Sequence, residues 1–151
     1  LTALTDINDC IESTLKMVWN ELKYHCKIEK KLANIPQIEC MGGQINQVLM
    51  NLFINAAHAM EGTNGVLSIQ TLTQSDTIQI RVSDNGKGIE DEHLSHIFEP
   101  FFTTKPVGQG TGLGMSICYD IIKKHHGTIN VESVIGEGTT FTITLPIDAY
   151  E

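Results

Sequence analysis

Two glycine clusters constrain this chain more than any other feature: Asp84-Asn85-Gly86-Lys87-Gly88, and Gly108-Gln109-Gly110-Thr111-Gly112-Leu113-Gly114. The first follows a run in which Ile78, Ile80 and Val82 fall on one face, the alternation of a half-buried strand. It therefore sets a carboxylate at a strand end, where a buried Asp84 can accept a hydrogen bond from an adenine amine. The second cluster opens an apolar helical segment, Leu113 to His125. Glycines there let the backbone approach a polyphosphate, and the unpaired N–H groups of a helix start supply donors and a favourable dipole. Neither cluster carries much alone. Together, separated by an insert the size of a lid, they describe an ATP pocket.

Upstream, Gln47 to Met60 has an amphipathic helical pattern that brings Asn51, Asn55 and His58 onto one face. An amide oxygen, with phosphate oxygens and waters, is a common way to hold Mg²⁺ beside a nucleotide, and Asn55 is the candidate ligand. A helical Asn more often points to solvent, and Ile54, Ala56 and Ala57 beside it leave that reading open.

Five boxes now stand in order: Asn51-Leu52-Phe53-Ile54-Asn55-Ala56, Asp84-Asn85-Gly86-Lys87-Gly88-Ile89, Ile97-Phe98-Glu99-Pro100-Phe101-Phe102-Thr103-Thr104-Lys105, Gly110-Thr111-Gly112-Leu113-Gly114-Met115, and Gly136-Glu137-Gly138-Thr139-Thr140-Phe141. On them, nearly the whole chain resembles the catalytic, ATP-binding domain of a two-component sensor histidine kinase. That family lies in the GHKL superfamily, beside type II topoisomerase and mismatch-repair ATPases, and the lid sequence resembles nitrogen-regulation-type sensor kinases. The resemblance implies ATP and Mg²⁺ as cofactors and the Bergerat ATP-binding fold.

It also implies roles. Asp84 anchors adenine, Gly86 and Gly88 shape the pocket floor with Ile89, and either Thr139 or Thr140 adds a hydroxyl at the adenine edge. Strand alternation puts those two threonines on opposite faces without saying which is which. Asn55 holds Mg²⁺. Asn51 stands where hydrolytic members carry a Glu general base, and an amide accepts no proton near neutral pH. His58 replaces the Lys that many sensor kinases turn toward the phosphates, so phosphate contact and a partly exposed helix residue both remain open. In the lid, Lys105 reaches the terminal phosphate, and Phe98, Thr103 and Thr104 join the nucleotide site with the backbone of Gly110, Thr111, Gly112, Leu113 and Gly114. The catalytic set is Asn51, Asn55 and Lys105. Phe98, Phe101 and Phe102 fit core filling and a contact surface for a substrate helix equally.

The patterning predicts a helix from about Asp6 to Tyr24, a strand from Lys27 to Leu32, and a break at Ile35-Pro36 before the Gln47–Met60 helix. Val66–Thr73 and Thr77–Ser83 form a hairpin, and Glu90 to Ile97 a short helical piece. The Leu113–His125 helix ends at a Gly127 C-cap, and Thr128–Ser133 with Thr139–Pro146 closes a second hairpin. The expected architecture is α+β, a two-layer sandwich with one mixed, mostly antiparallel sheet and helices on one face. Residues 1–151 are expected to form one domain.

A net charge of −8 with no Lys/Arg stripe excludes nucleic acid as partner. Cys10, Cys26, Cys40 and Cys118 form neither a disulfide framework nor a zinc pattern, which fits a reducing compartment. No apolar run is long enough to span a membrane and no signal peptide is legible. The expected setting is cytoplasmic, with no direct membrane contact, on its own or as the cytoplasmic portion of a membrane-bound sensor. His93 and His96 share a helical turn, but no carboxylate or Cys completes a metal set there.

None of the six histidines is followed by the acidic residue and later proline of a kinase phosphoacceptor. The chain opens on Leu1, as a segment of a longer protein does. The expected partners are therefore an acceptor-histidine helical dimerisation domain of the same parent and, through that parent, a response regulator, with the isolated domain monomeric. Two other functions compete: a hydrolytic ATPase of the same superfamily, disfavoured by Asn51, and a nucleotide-dependent interaction module without chemistry.

Overall fold

The computed structural model describes residues 1–102 and 114–148. Strands β1 (Ala3–Thr5) and β3 (Ile38–Cys40) pair antiparallel in a two-stranded sheet of their own. Three residues are too few to display a period, which is why the sequence pattern misses both strands. Helix α1 (Ile7–Met17) is capped by Asp6, whose carboxylate accepts the Asn8 N–H at 2.8 Å. Its buried stripe is Ile7, Cys10, Ile11, Thr14 and Leu15. The predicted single helix to Tyr24 is interrupted, because the β-branched Val18 leaves helical geometry and a short α2 (Trp19–Leu22) follows.

The main sheet contains β2 (Cys26–Leu32), β4 (Gly65–Gln74), β5 (Thr77–Asp84), β6 (Thr128–Val134) and β7 (Gly138–Pro146), in spatial order β2-β4-β5-β7-β6. Only β2 and β4 run parallel. Strict alternation builds the two faces. Ile78, Ile80 and Val82 of β5 and Phe141, Ile143 and Leu145 of β7 are buried, while their neighbours Arg81, Thr142 and Thr144 lie on the polar face.

Helix α3 (Gly42–Ala59) covers the apolar face with Val48, Leu49, Leu52 and Phe53, and packs against both α1 and α5 (Gly114–Lys124). It begins five residues before the predicted Gln47, and its first turns add Ile45 to the buried stripe. The helical piece after Glu90 shrinks to α4 (Asp91–Leu94), and Ile97 beyond it is buried. The result is the expected two-layer sandwich with a mixed, mostly antiparallel sheet.

The end of α5 differs from expectation by one residue. Gly127 N–H bonds the Ile122 carbonyl and His126 N–H the Lys123 carbonyl, a Schellman arrangement in which His126, at φ 62°, takes the left-handed position. Gly127 is required for a different reason: a Cβ there would lie 2.4 Å from the Thr144 carbonyl oxygen. His125, 2% exposed, donates through Nδ1 to the Ile121 carbonyl and accepts the Met41 N–H on Nε2 at 3.0 Å. Met41 is the N-cap position of α3 and has no side-chain cap, so this one imidazole ties the start of α3 to the end of α5. His125→Leu strands a buried N–H and should cost about 1–3 kcal/mol. Urea denaturation should show a lower midpoint at unchanged slope; an unmoved midpoint would mean that the Met41 N–H is satisfied without the ring.

Candidate functional site

Asp84 closes β5 and lies opposite Leu67 of β4 and Thr139 of β7, and Thr139 lies opposite Ser133 of β6. Directly opposed residues of antiparallel strands share a face. Asp84, Thr139 and Ser133 therefore form a polar row on the helix-facing side of the sheet. Thr140 points the other way and bonds the Ser83 hydroxyl, so the register separates the two threonines that the sequence left undecided.

The Asp84 carboxylate accepts the Gly86 N–H at 2.9 Å, and the Thr139 N–H supports it as well. Burial nonetheless lifts its pKa above the ordinary carboxylate value, and among the described residues no cation pairs with it. Asp84-Asn85-Gly86 is not a hairpin turn, although Asn-Gly is a strong hairpin dipeptide. Asn85 Oδ1 instead accepts the Val66 N–H at 2.7 Å and fastens the loop to the start of β4.

The loop after β5 is threaded between the C-terminal end of α3 and the β6–β7 turn. Lys87 N–H bonds the Ala59 carbonyl at 3.0 Å, and Gly136 N–H bonds the Lys87 carbonyl at 2.9 Å. Gly88 sits at φ 77°, where a Cβ would come within 2.4 Å of the Val134 carbonyl. Gly138 is tighter still: at φ 134°, a Cβ would lie 2.0 Å from the Asp84 carbonyl oxygen. Ile89 N–H is accepted by Ser133 Oγ at 2.7 Å. A groove of about 460 Å³ opens beside this loop, lined by His58, Ala59, Gly86, Lys87 and Gly136 among others.

The Asn-bearing helix meets the second glycine cluster directly. Half-buried Asn51 donates to the carbonyl of Gly114, the first residue of α5, at 3.4 Å, and lies 3.6 Å from Cys118 Sγ. Burial pushes the Cys118 thiol up to about 11, so it is an inert core group. One turn on, Asn55 is half-buried and its amide takes no hydrogen-bond partner among the described residues. Its free amide oxygen suits a hard cation flanked by phosphate oxygens. His58 is exposed at the edge of the groove.

The three phenylalanines divide. Phe98 is half-buried against the Tyr119 ring at 5.5 Å, and Phe102 is half-buried with His93 and His96 at 5.6 and 5.8 Å from its ring. Phe101 is exposed, at the unusual φ of 68°. Thr103, Thr104, Lys105, Gly110, Thr111, Gly112 and Leu113 lie outside the described residues.

Carboxylates do approach His93 and His96, contrary to the sequence reading. Glu90, Glu92 and His93 bring their ligand atoms within 4.8 Å of one another, and Glu99 pairs with His96. The acidic groups are exposed on and around a four-residue helix, where such clusters are ordinary surface chemistry. Ser133 and Asn85 are the site residues that sequence reasoning did not single out. Asn85 was legible only as a member of the first glycine box, and Ser133 only as a strand end.

Residues 42–149 match the family described as histidine kinase-, DNA gyrase B-, and HSP90-like ATPases. The chain is 38% identical over 145 residues to the sensor histidine kinase ZraS of Escherichia coli strain K12, covering 95% of this chain and 30% of that protein. It thus spans less than a third of that relative's length. Among solved structures, the catalytic domain of histidine kinase ThkA superposes with a TM-score of 0.86 at 31% identity, covering 97% of this chain and 96% of that one. Histidine kinase ThkA in complex with response regulator protein TrrA gives 0.82 at 27% identity, covering 99% of this chain and 43% of that one.

The charge on Asp84 costs the fold something. A carboxyl whose folded pKa is raised contributes stability that is complete below its ordinary value, 3.8, and lost as pH rises through the folded value. Wild type should therefore lose stability relative to Asp84→Asn as pH rises from about 4 toward neutrality. Urea melts at the two pH values measure this, and a difference independent of pH would show that Asp84 titrates as an ordinary surface carboxyl.

Proposed function

The chain belongs to the family of histidine kinase-, DNA gyrase B-, and HSP90-like ATPases, among its histidine kinase catalytic domains, and from that premise we propose that it binds Mg-ATP and donates the γ-phosphate to a histidine on a separate acceptor-helix domain. One observation carries the adenine end of this reading. A carboxylate is held half-buried at a strand end against its own desolvation cost, fixed by two backbone amides, and no cation among the described residues pairs with it. A group kept this way is a site waiting for a donor. An adenine amine is such a donor.

At the phosphate end, Asn55 would hold Mg²⁺, which supplies neutralisation of phosphate charge when bound. Backbone amides of the Gly110–Gly114 segment, and Lys105 in the lid, complete the phosphate contacts in this reading. The proposal retains the nitrogen-regulation-type resemblance of the lid sequence and assigns Thr139, not Thr140, to the adenine edge. Asn51 supports transfer over hydrolysis, because an amide takes no proton and this one is already engaged with Gly114.

The partners follow from the same chemistry: an acceptor-histidine helical dimerisation domain of the parent protein and, through the parent, a response regulator. We assign the domain a cytoplasmic place; no helix of the described residues is long and apolar enough to cross a membrane.

Asn55→Ala should abolish the Mg²⁺-dependent part of ATP binding in calorimetry while sparing metal-free nucleotide. Equal loss of both would make the residue structural. For the reaction itself, the domain is incubated with labelled ATP, with and without the acceptor domain of its parent, and free phosphate and acid-labile phosphoprotein are both measured. Transfer only with acceptor, and slow phosphate release without it, is the expected result. Fast release without acceptor would favour the ATPase, and no transfer to a folded acceptor would favour the interaction module.

A further inference from the structure

Three hydrogen-bonding groups converge on one hydroxyl where β6, β7 and the loop after β5 meet. Ser133 Oγ lies 2.7 Å from the Ile89 nitrogen, 2.9 Å from the Gly138 carbonyl oxygen and 2.8 Å from Thr139 Oγ1. A serine hydroxyl has one proton and two lone pairs. A carbonyl only accepts, so the Ser133 proton goes to Gly138. A peptide N–H only donates, so Ile89 takes one lone pair. The remaining contact closes only if Thr139 donates. Its single proton is then turned along the strand pair toward Ser133, and the buried Thr139 oxygen is left with lone pairs alone.

We propose that Ser133 is a specificity-determining positioning residue: by holding the Thr139 proton, it makes the Asp84–Thr139 row acceptor-only and so selects a 6-aminopurine over a 6-oxopurine. The inference rests on the reading that Asp84 receives the purine. An exocyclic amine donates to such a row. A 6-oxopurine carries a proton on N1, which can satisfy one acceptor of the row, but its 6-oxo oxygen then meets the other acceptor and stays unpaired in a half-buried site, the kind of mismatch from which polar pockets draw their selectivity. Without Ser133, the Thr139 hydroxyl is free to rotate and donate to the 6-oxo group.

Calorimetric affinities for ADP and IDP, which differ at the 6-position and in the proton on N1, are compared in the wild type, Ser133→Ala, Ser133→Thr, Thr139→Val and Asp84→Ala. Ser133→Ala weakens ADP through the loosened loop, but the decisive quantity is the ratio. The ADP:IDP preference should narrow by roughly three- to tenfold, the worth of one neutral hydrogen bond. Ser133→Thr, which restores a hydroxyl, should keep the wild-type ratio. Thr139→Val preserves the β-branched shape, narrows the ratio in the same direction, and provides the readout should Ser133→Ala fail to fold. A ratio unmoved in Ser133→Ala, or in Thr139→Val where only that variant folds, overturns the proposal and leaves Ser133 a structural residue. Failure of the premise has a different signature: Asp84→Ala binding ADP as tightly as wild type removes the purine from this row, and the proposal with it.

Discussion

The hydrogen-bonded register of β5, β7 and β6 is the constraint on which the site depends. It aligns Asp84 with Thr139 and Thr139 with Ser133 across three neighbouring strands, and alternation turns all three toward the helices. Shifting one strand by a single residue would present Ser83 or Thr140 instead and send the carboxylate to the polar face. The buried partners Ile80, Val82, Phe141 and Ile143 on the same strands forbid that slip, since it would expose them together. The apolar core thus fixes the position of polar atoms it does not touch. Gly138 belongs to the same device, because only a residue without a Cβ lets β7 begin against the Asp84 carbonyl.

Helix α3 carries the second half of the arrangement. Its C-terminal carbonyl, Ala59, receives the loop that follows Asp84; its middle, Asn51, meets the first residue of α5; and its start is held through Met41 by His125 at the end of α5. One rigid element therefore sets the distance between the carboxylate end of the site and the glycine-rich helix start. Such bracing suits phosphoryl chemistry, in which positioning and charge neutralisation do most of what a protein contributes.

Two local features run against stability. Asp84 keeps a carboxylate where burial disfavours its charge, and Phe101 combines a left-handed backbone with an exposed ring. Perturbed ionisation of the kind Asp84 shows commonly marks a functional site. Phe98 and Phe102 on either side pack against the core, while Phe101 is exposed.

The five boxes, their order and the alternating strands were enough to read the fold class and to put Asn51 and Asn55 on a helix and Asp84 at a strand end, because each rests on local spacing along the chain. Local spacing could not find β1 and β3, whose three residues show no period, nor the break at Val18, nor the left-handed His126 one residue before the expected glycine. It showed Asn85 only as a member of the first glycine box, since the partner that claims its side chain is Val66, nineteen positions away. The choice between Thr139 and Thr140, and the importance of Ser133, were likewise invisible in the linear chain. What the sequence by itself determined was which chemistry is present and which secondary elements carry it. Which hydroxyl faces the carboxylate, and which way its proton points, only the tertiary structure decided, because strand register and the sharing of a single proton among three neighbours exist only once distant segments have met.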